Sequence, residues 1–185
     1  MATEPYRKYT PEEVFLFHFK RELTPKEVEQ GIILNEYGNV PTHIGFLDYF
    51  AGVVRRLRCA SPETYAKTMG ITESELKGTL STLTGRSIYE WTDFYLMLGV
   101  YEMLADRKTK LKECASEMGF SQYSVFSRYF KTRMMEMPSE MGYLLRSGKR
   151  NTSEISGLLS KYYHKEFQRR RIALERYKKD MFFSH

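Results

Sequence analysis

The sequence predicts an all-α fold, and three observations carry that expectation. The period-two alternation that a half-buried strand needs is scarce. Apolar residues recur instead at spacings of three and four, the stripe of a helix. Three Ser/Thr-Pro pairs, Thr10-Pro11, Thr24-Pro25 and Ser61-Pro62, read as helix starts, because the hydroxyl caps free amides while proline suits the first helical position.

Taken in order, the first two starts add Glu13 and Glu27 at the capping-box position and predict helices over about 12–22 and 26–37. The next, about 43–58, lines up Phe46, Leu47, Phe50, Val53, Val54 and Leu57 on a packing face. Residues 62–69 and 73–84 then form a two-helix unit closed by Gly85 as a C-terminal cap. Ser87 caps a longer helix, about 88–105, which at 1.5 Å per residue is about 27 Å long. Its residues Trp91, Phe94, Tyr95, Leu96, Met97, Leu98, Val100, Tyr101 and Leu104 exceed one stripe, so it has to be covered on several sides, with the N-terminal helices as the natural cover. A second unit follows: a short helix over 111–118, with Ala115 four residues before Gly119 so that two helices cross closely around a tight turn. On a helical wheel, Val125, Phe126, Tyr129 and Phe130 then fall on one side, Ser124, Ser127, Arg128 and Lys131 on the other, and Tyr123 on the flank. From Asn151, Ile155, Leu158, Leu159, Tyr162, Tyr163 and Phe167 keep helical spacing and run into Arg169-Arg170-Arg171 and Lys178-Lys179, a long terminal helix with a basic distal half.

The stretch 119–131, with Pro138, Ser139 and Glu140 beyond it, resembles the second helix-turn-helix of the AraC/XylS family of bacterial transcription regulators. Gly119, Phe120, Ser121, Ser124, Phe126, Ser127, Arg128, Phe130 and Lys131 carry the likeness. It extends upstream through Tyr65, Ala66, Met69, Gly70, Ile71, Thr72, Leu76, Leu80, Gly85, Ser87, Glu90, Leu104, Lys112 and Glu113. Three positions depart from the family pattern: Met135 stands for glycine, Met137 for threonine and Gly78 for arginine. The resemblance implies two homeodomain-like helix-turn-helix subdomains joined by a long helix, with helical extensions at both ends. The expected organisation is an N-terminal extension over 1–58, the helix-turn-helix domain over 59–147 and a basic C-terminal helix over 148–185. A connector of about 27 Å is near the roughly 34 Å that separates successive major grooves, so a monomer can span two of them.

The expected partner is double-stranded DNA. Arg128 is the residue best equipped to read a base, since a guanidinium donates two parallel hydrogen bonds to guanine O6 and N7. Tyr123, Ser124 and Ser127 suit base edges, a thymine methyl or phosphate. Ser121 is placed to cap the reading helix, and Ser121, Lys131 and Arg133 suit phosphates. In the first unit Ser74, Gly78 and Ser81 lie outermost with Lys77 beside them, and Glu73 and Glu75 stand near the helix start. That helix is a base reader or only a structural partner. Arg169, Arg170 and Arg171 are candidate phosphate contacts, with a packing helix and a solvated charged end as the equal alternative.

Charge follows the same division. The formal net charge is +6, yet 141–185 alone hold eleven Lys/Arg against four Asp/Glu; 61–106 hold three against seven, and 107–140 seven against four. The electrostatic footprint of a DNA binder therefore lies on the second unit and the tail.

Other classes fare poorly. GxSxG and HExxH are absent, 142–150 misses the phosphate-loop spacing, and His18, His43, His164 and His185 are scattered, so neither catalysis, a metal nor a cofactor is expected. Cys59 and Cys114 are too few for a disulfide framework, and Cys114 reads as a small core residue rather than a reactive thiol. The longest apolar run, 94–100, falls short of the roughly 20 residues of a membrane span, and the start lacks a signal peptide's apolar stretch; a cytoplasmic protein is expected. The first 58 residues are too few and too helical for a ligand-sensing β-barrel, and the sequence names no small-molecule effector. The alternative reading is a helix-turn-helix module turned to protein interaction, a homodimer or another regulator being held through the helical extensions.

Overall fold

The computed structural model describes residues 7–183, with side chains described to Arg176. Among them there is no strand. Ten α-helices follow one another: α1 (Pro11–Val14), α2 (Pro25–Glu29), α3 (Gly45–Leu57), α4 (Pro62–Met69), α5 (Glu73–Thr84), α6 (Ile88–Ala105), α7 (Leu111–Glu117), α8 (Tyr123–Met134), α9 (Pro138–Arg146) and α10 (Ile155–Phe183). A 3-10 turn, Thr152–Glu154, leads into α10.

From α3 to α7 the elements lie close to the expected boundaries, because their signals are local; α9 is a helix for which the sequence set no bounds. Ser61, Thr72 and Ser87 accept from the backbone N–H three residues on, closing the first turns of α4, α5 and α6. Gly70 and Gly85 end α4 and α5 in the left-handed conformation, at φ 73° and 71°.

The first two helices are corrections. Each capping box forms, Glu13 accepting from the Thr10 N–H at 2.8 Å and Glu27 from the Thr24 N–H at 2.8 Å, but the helices stop after about one turn. Beyond α1 the chain runs as an irregular strap that buries Phe15, Phe17 and His18. Its backbone groups find side-chain partners instead of helical ones. Glu102 accepts from the His18 and Phe19 N–H groups at 2.9 and 3.3 Å, while Arg55 donates to the Phe17 and His18 carbonyls at 2.8 and 2.6 Å. Once those distant groups satisfy the backbone, a helix offers no further gain. Beyond α2, Gly31 and Gly38 turn the chain at φ 76° and 82°.

The connector α6 is the axis of the core. Trp91, Met97 and Val100 are fully buried and Leu96 and Leu98 nearly so, as its all-round apolarity required. The strap covers one side, with Phe15 ring centroids 4.9 Å from Tyr95 and 6.0 Å from Trp91, and α3 adds Phe50, 6.2 Å from Trp91. The cover is wider than the N-terminal segment alone: α9 and α10 also pack on α6, and Ile155 and Leu159 of α10 are buried there.

Candidate nucleic-acid interface

The two helix-turn-helix units are near copies. Each short helix ends on a glycine at positive φ, Gly70 at 73° and Gly119 at 87°, and each turn is closed by a backbone bond, Ile71 to Ala66 at 3.1 Å and Phe120 to Ala115 at 2.9 Å. The following helices, α5 and α8, each have 12 residues and end on a left-handed residue, Gly85 at φ 71° and Met135 at φ 65°.

On α8 the core takes Phe126, Phe130 and Met134. The outward arc carries Ser124, Val125, Arg128, Lys131 and Thr132, and α8 contains no carboxylate. Tyr123 lies half-buried on the flank, its ring 6.0 Å from Phe126. Ser127, expected outward, is 7% exposed, and Val125, expected inward, is 48% exposed. The helix is rotated by part of a turn from the sequence wheel because its inner flank holds Tyr129 and Arg133 against α6.

That flank forms a polar node inside the core. Asp93 of α6, 3% exposed, accepts from Arg133 Nε at 2.6 Å and from the hydroxyls of Tyr129 and Tyr163. The Arg133 guanidinium lies 3.5 Å from the Tyr129 ring centroid and 4.9 Å from that of Tyr162. Burial, then Asp93, pushes both the Tyr129 and the Tyr163 phenols well above their usual range. Arg133, expected to suit a phosphate, is thus held from inside by Asp93, with its side chain 16% accessible. Ser121 is corrected as a cap: it is exposed, the N-cap is Gln122, and α8 starts without a side-chain cap bond, leaving its first amides open.

On α5, Ser74, Gly78 and Ser81 are exposed, as are Glu75 and Thr82. Lys77 forms an ion pair with Glu73 and lies 5.7 Å from the Tyr89 ring. Glu75 accepts from both the N–H and the hydroxyl of Thr72 at 2.8 Å, and these bonds hold its carboxyl below the usual range. This outward face therefore keeps a full negative charge where α8 has none.

In the tail, Arg169, Arg170 and Arg171 are exposed. Arg169 pairs with Glu166 at 2.7 Å and Arg171 with Glu175 at 3.9 Å. Arg170 stands on the wall of a groove of about 690 Å³ whose lining includes Lys77, Tyr89, Arg133, Tyr162 and Phe167, so the tail, α5 and α8 meet there. The side chains of Lys178 and Lys179, and the whole of His185, lie outside the described residues. Residues missed by the sequence reading are Val125 and Thr132 on the outward arc and Asp93 behind it.

Among the described residues no cluster of His, Cys, Asp and Glu is arranged to hold a metal, and no helix is long and apolar enough to cross a membrane. Residues 65–142 match the family model of a helix-turn-helix domain. No curated protein and no solved structure matches the chain.

Proposed function

We propose that the AraC/XylS-type helix-turn-helix domain at residues 65–142 makes this chain a sequence-specific transcription regulator that reads its DNA site chiefly through α8. The observation that carries this reading is the outward face of α8: two cations, Arg128 and Lys131, beside Ser124, Val125 and Thr132, with no carboxylate on the helix. Arg128 suits a guanine edge, Val125 a thymine methyl, and Lys131 a phosphate. Tyr123 and Ser124 border the open amides at the start of α8, where a phosphate is favoured by the helix dipole.

Beyond Glu73, Glu75 and Lys77, which pairs with Glu73, the face of α5 has only hydroxyls and the Gly78 backbone. It supports close approach to DNA with little base discrimination. In this reading Ser127 and Arg133 are structural, and Arg169, Arg170 and Arg171 add phosphate contacts without sequence preference.

The interaction-module reading is favoured by one observation, the exposure of Phe167, Ile172 and Leu174 along α10 at 64%, 46% and 54%. Binding-site selection followed by gel shift at two salt concentrations separates the readings. Arg128→Ala is expected to cost about 1–3 kcal/mol on the selected site and to relax preference at one or two base pairs. Ser74→Ala and Ser81→Ala are expected to cost less. Failure of the parent chain to select any sequence would leave the interaction module standing.

A further inference from the structure

The loop between α3 and α4 contains a residue held against its own backbone preference. Arg58 has φ 56° and ψ −119°, outside the left-handed well and in a region that side chains other than glycine avoid. Such an outlier persists only where its surroundings over-determine it. Here they do: the Arg58 N–H donates to the Val54 carbonyl at 2.8 Å, and its own carbonyl accepts from the Tyr65 hydroxyl. That hydroxyl also accepts from the Ala60 N–H at 3.2 Å, and Tyr65 is 1% exposed.

The strained backbone directs the side chain out of the first unit and onto the second. Arg58 Nη1 donates at 2.8 Å both to the carbonyl of Glu117, the last residue of α7, and to its carboxylate. A cation at that position also suits the negative end of a helix. Beside it, Cys59 lies against the turn of the second unit: a Cβ added to Gly119 would come within 3.3 Å of the Cys59 Cβ. The two units are joined covalently through α6, to which the Asp93 node also ties α8, and non-covalently through this clamp, whose Arg58 end is held by Tyr65 of α4. The node fixes α8 against α6, and the clamp fixes the α7 end of the second unit against the α3–α4 corner beside the first.

The ion pair is half-exposed, with side chains 41% and 51% accessible, and such pairs contribute little to stability. Strain opposed by so weak a pair is poorly explained as a stabilising device, and it is explained by orientation. We propose that Arg58 is a positioning residue that locks the two helix-turn-helix units in one relative orientation and thereby sets the spacing between the two segments of DNA they meet. This rests on the reading in which both units meet DNA, α5 by approach and α8 by base contact.

The test uses the full chain and its selected site, with one base pair inserted between the two blocks that the parent protects from hydroxyl radicals. One base pair turns the helix by about 34°, so a rigid pair of units cannot seat both halves at once. The parent is expected to bind the lengthened site at least about tenfold more weakly, a difference of about 1.4 kcal/mol. Arg58→Gly relieves the strain and removes the guanidinium; it is expected to melt no lower than the parent while its spacing penalty shrinks to within about threefold. Arg58→Lys, which retains a donor, is expected to keep most of the penalty, and Glu117→Ala, at the exposed end of α7, to forfeit part of it. An unchanged penalty in Arg58→Gly overturns the proposal while leaving the DNA reading intact. A single protected block in the parent overturns the two-unit reading and the proposal with it.

Discussion

Arg133 of the second reading helix and Asp93 of the connector form an ion pair of 2.6 Å across 40 positions of sequence, with side chains 16% and 4% accessible. Two tyrosine hydroxyls complete the coordination of the carboxylate, so the helix proposed to meet DNA is anchored from behind by charge. Removing one partner leaves the other buried and uncompensated. Asp93→Ala and Arg133→Leu are each expected to destabilise by about 3–5 kcal/mol in denaturant titrations. The double replacement is expected to cost less than the sum of the two, and additive losses would remove the node from the account of how α8 is held.

The C-terminal helix divides into a packed proximal part and an exposed distal part. Truncation after Arg150 removes Ile155 and Leu159, 0% and 4% exposed, together with Tyr163 from the Asp93 node, so cooperative melting is expected to disappear. Arg169→Gln, Arg170→Gln and Arg171→Gln combined in the intact chain are expected to leave melting unchanged. They should flatten the dependence of log K on log salt by about 0.9 for each phosphate no longer neutralised, and an unchanged slope would assign the three side chains to solvent.

Met135 holds φ 65°, a conformation in which a Cβ is strained, at 59% exposure. The equivalent position after α5 is Gly85. Since the Met135 side chain is largely in solvent, its removal sacrifices little packing, and Met135→Gly is expected to stabilise by up to about 1 kcal/mol. Thermal melting of the two chains decides the sign; destabilisation would mean that the packing of the methionine stem outweighs its backbone strain.

His18 is 3% exposed, stacks on Tyr95 with ring centroids 4.2 Å apart, and its Nδ1 lies 3.0 Å from the Tyr95 carbonyl. Burial lowers its pKa to about 4 from 6.5, and the cations Arg58 and Arg55 act in the same direction. At pH 7 the ring is mainly neutral in both the folded and the unfolded state. As pH falls through 6.5 the unfolded chain takes up a proton that the folded chain refuses until about pH 4, so stability falls across that window by about 3 kcal/mol. Glu102, whose carboxyl burial pushes up, works the opposite way. Denaturant titration from pH 7.5 to 4.5 is expected to show a shallower decline in His18→Gln than in the parent, and parallel curves would exclude His18 as the source.

Legibility in the sequence followed the range of the interactions involved. Boundaries of α4, α5 and the start of α6 are readable because caps and left-handed glycines act within four residues, as Thr72 with Glu75 and Ser87 with Glu90 show; α8 and α9, which begin without a side-chain cap bond, carry no such signal. The strap was not readable, because the groups that hold it extended, Arg55 and Glu102, lie 37 and 84 positions from His18. The same limit applies at the candidate site. A wheel tells which residues share a face, but the orientation of α8 depends on Asp93, so Val125 and Ser127 exchanged places and Arg133 turned inward. Arg128, on the side of α8 away from that carboxylate, stands outward as its neighbours in sequence imply.

The all-round burial of α6 also orders events during synthesis. Helix α6 leaves the ribosome with the strap and α3 already available, but α9 and α10, which close its remaining sides, follow about 30 to 80 residues later, several seconds at ordinary elongation rates. During that interval the second flank of the connector is exposed apolar surface, an aggregation hazard that a chaperone is suited to cover. Helix α5 is thus formed locally and early, while the node that anchors α8 is completed only when Tyr163 reaches Asp93.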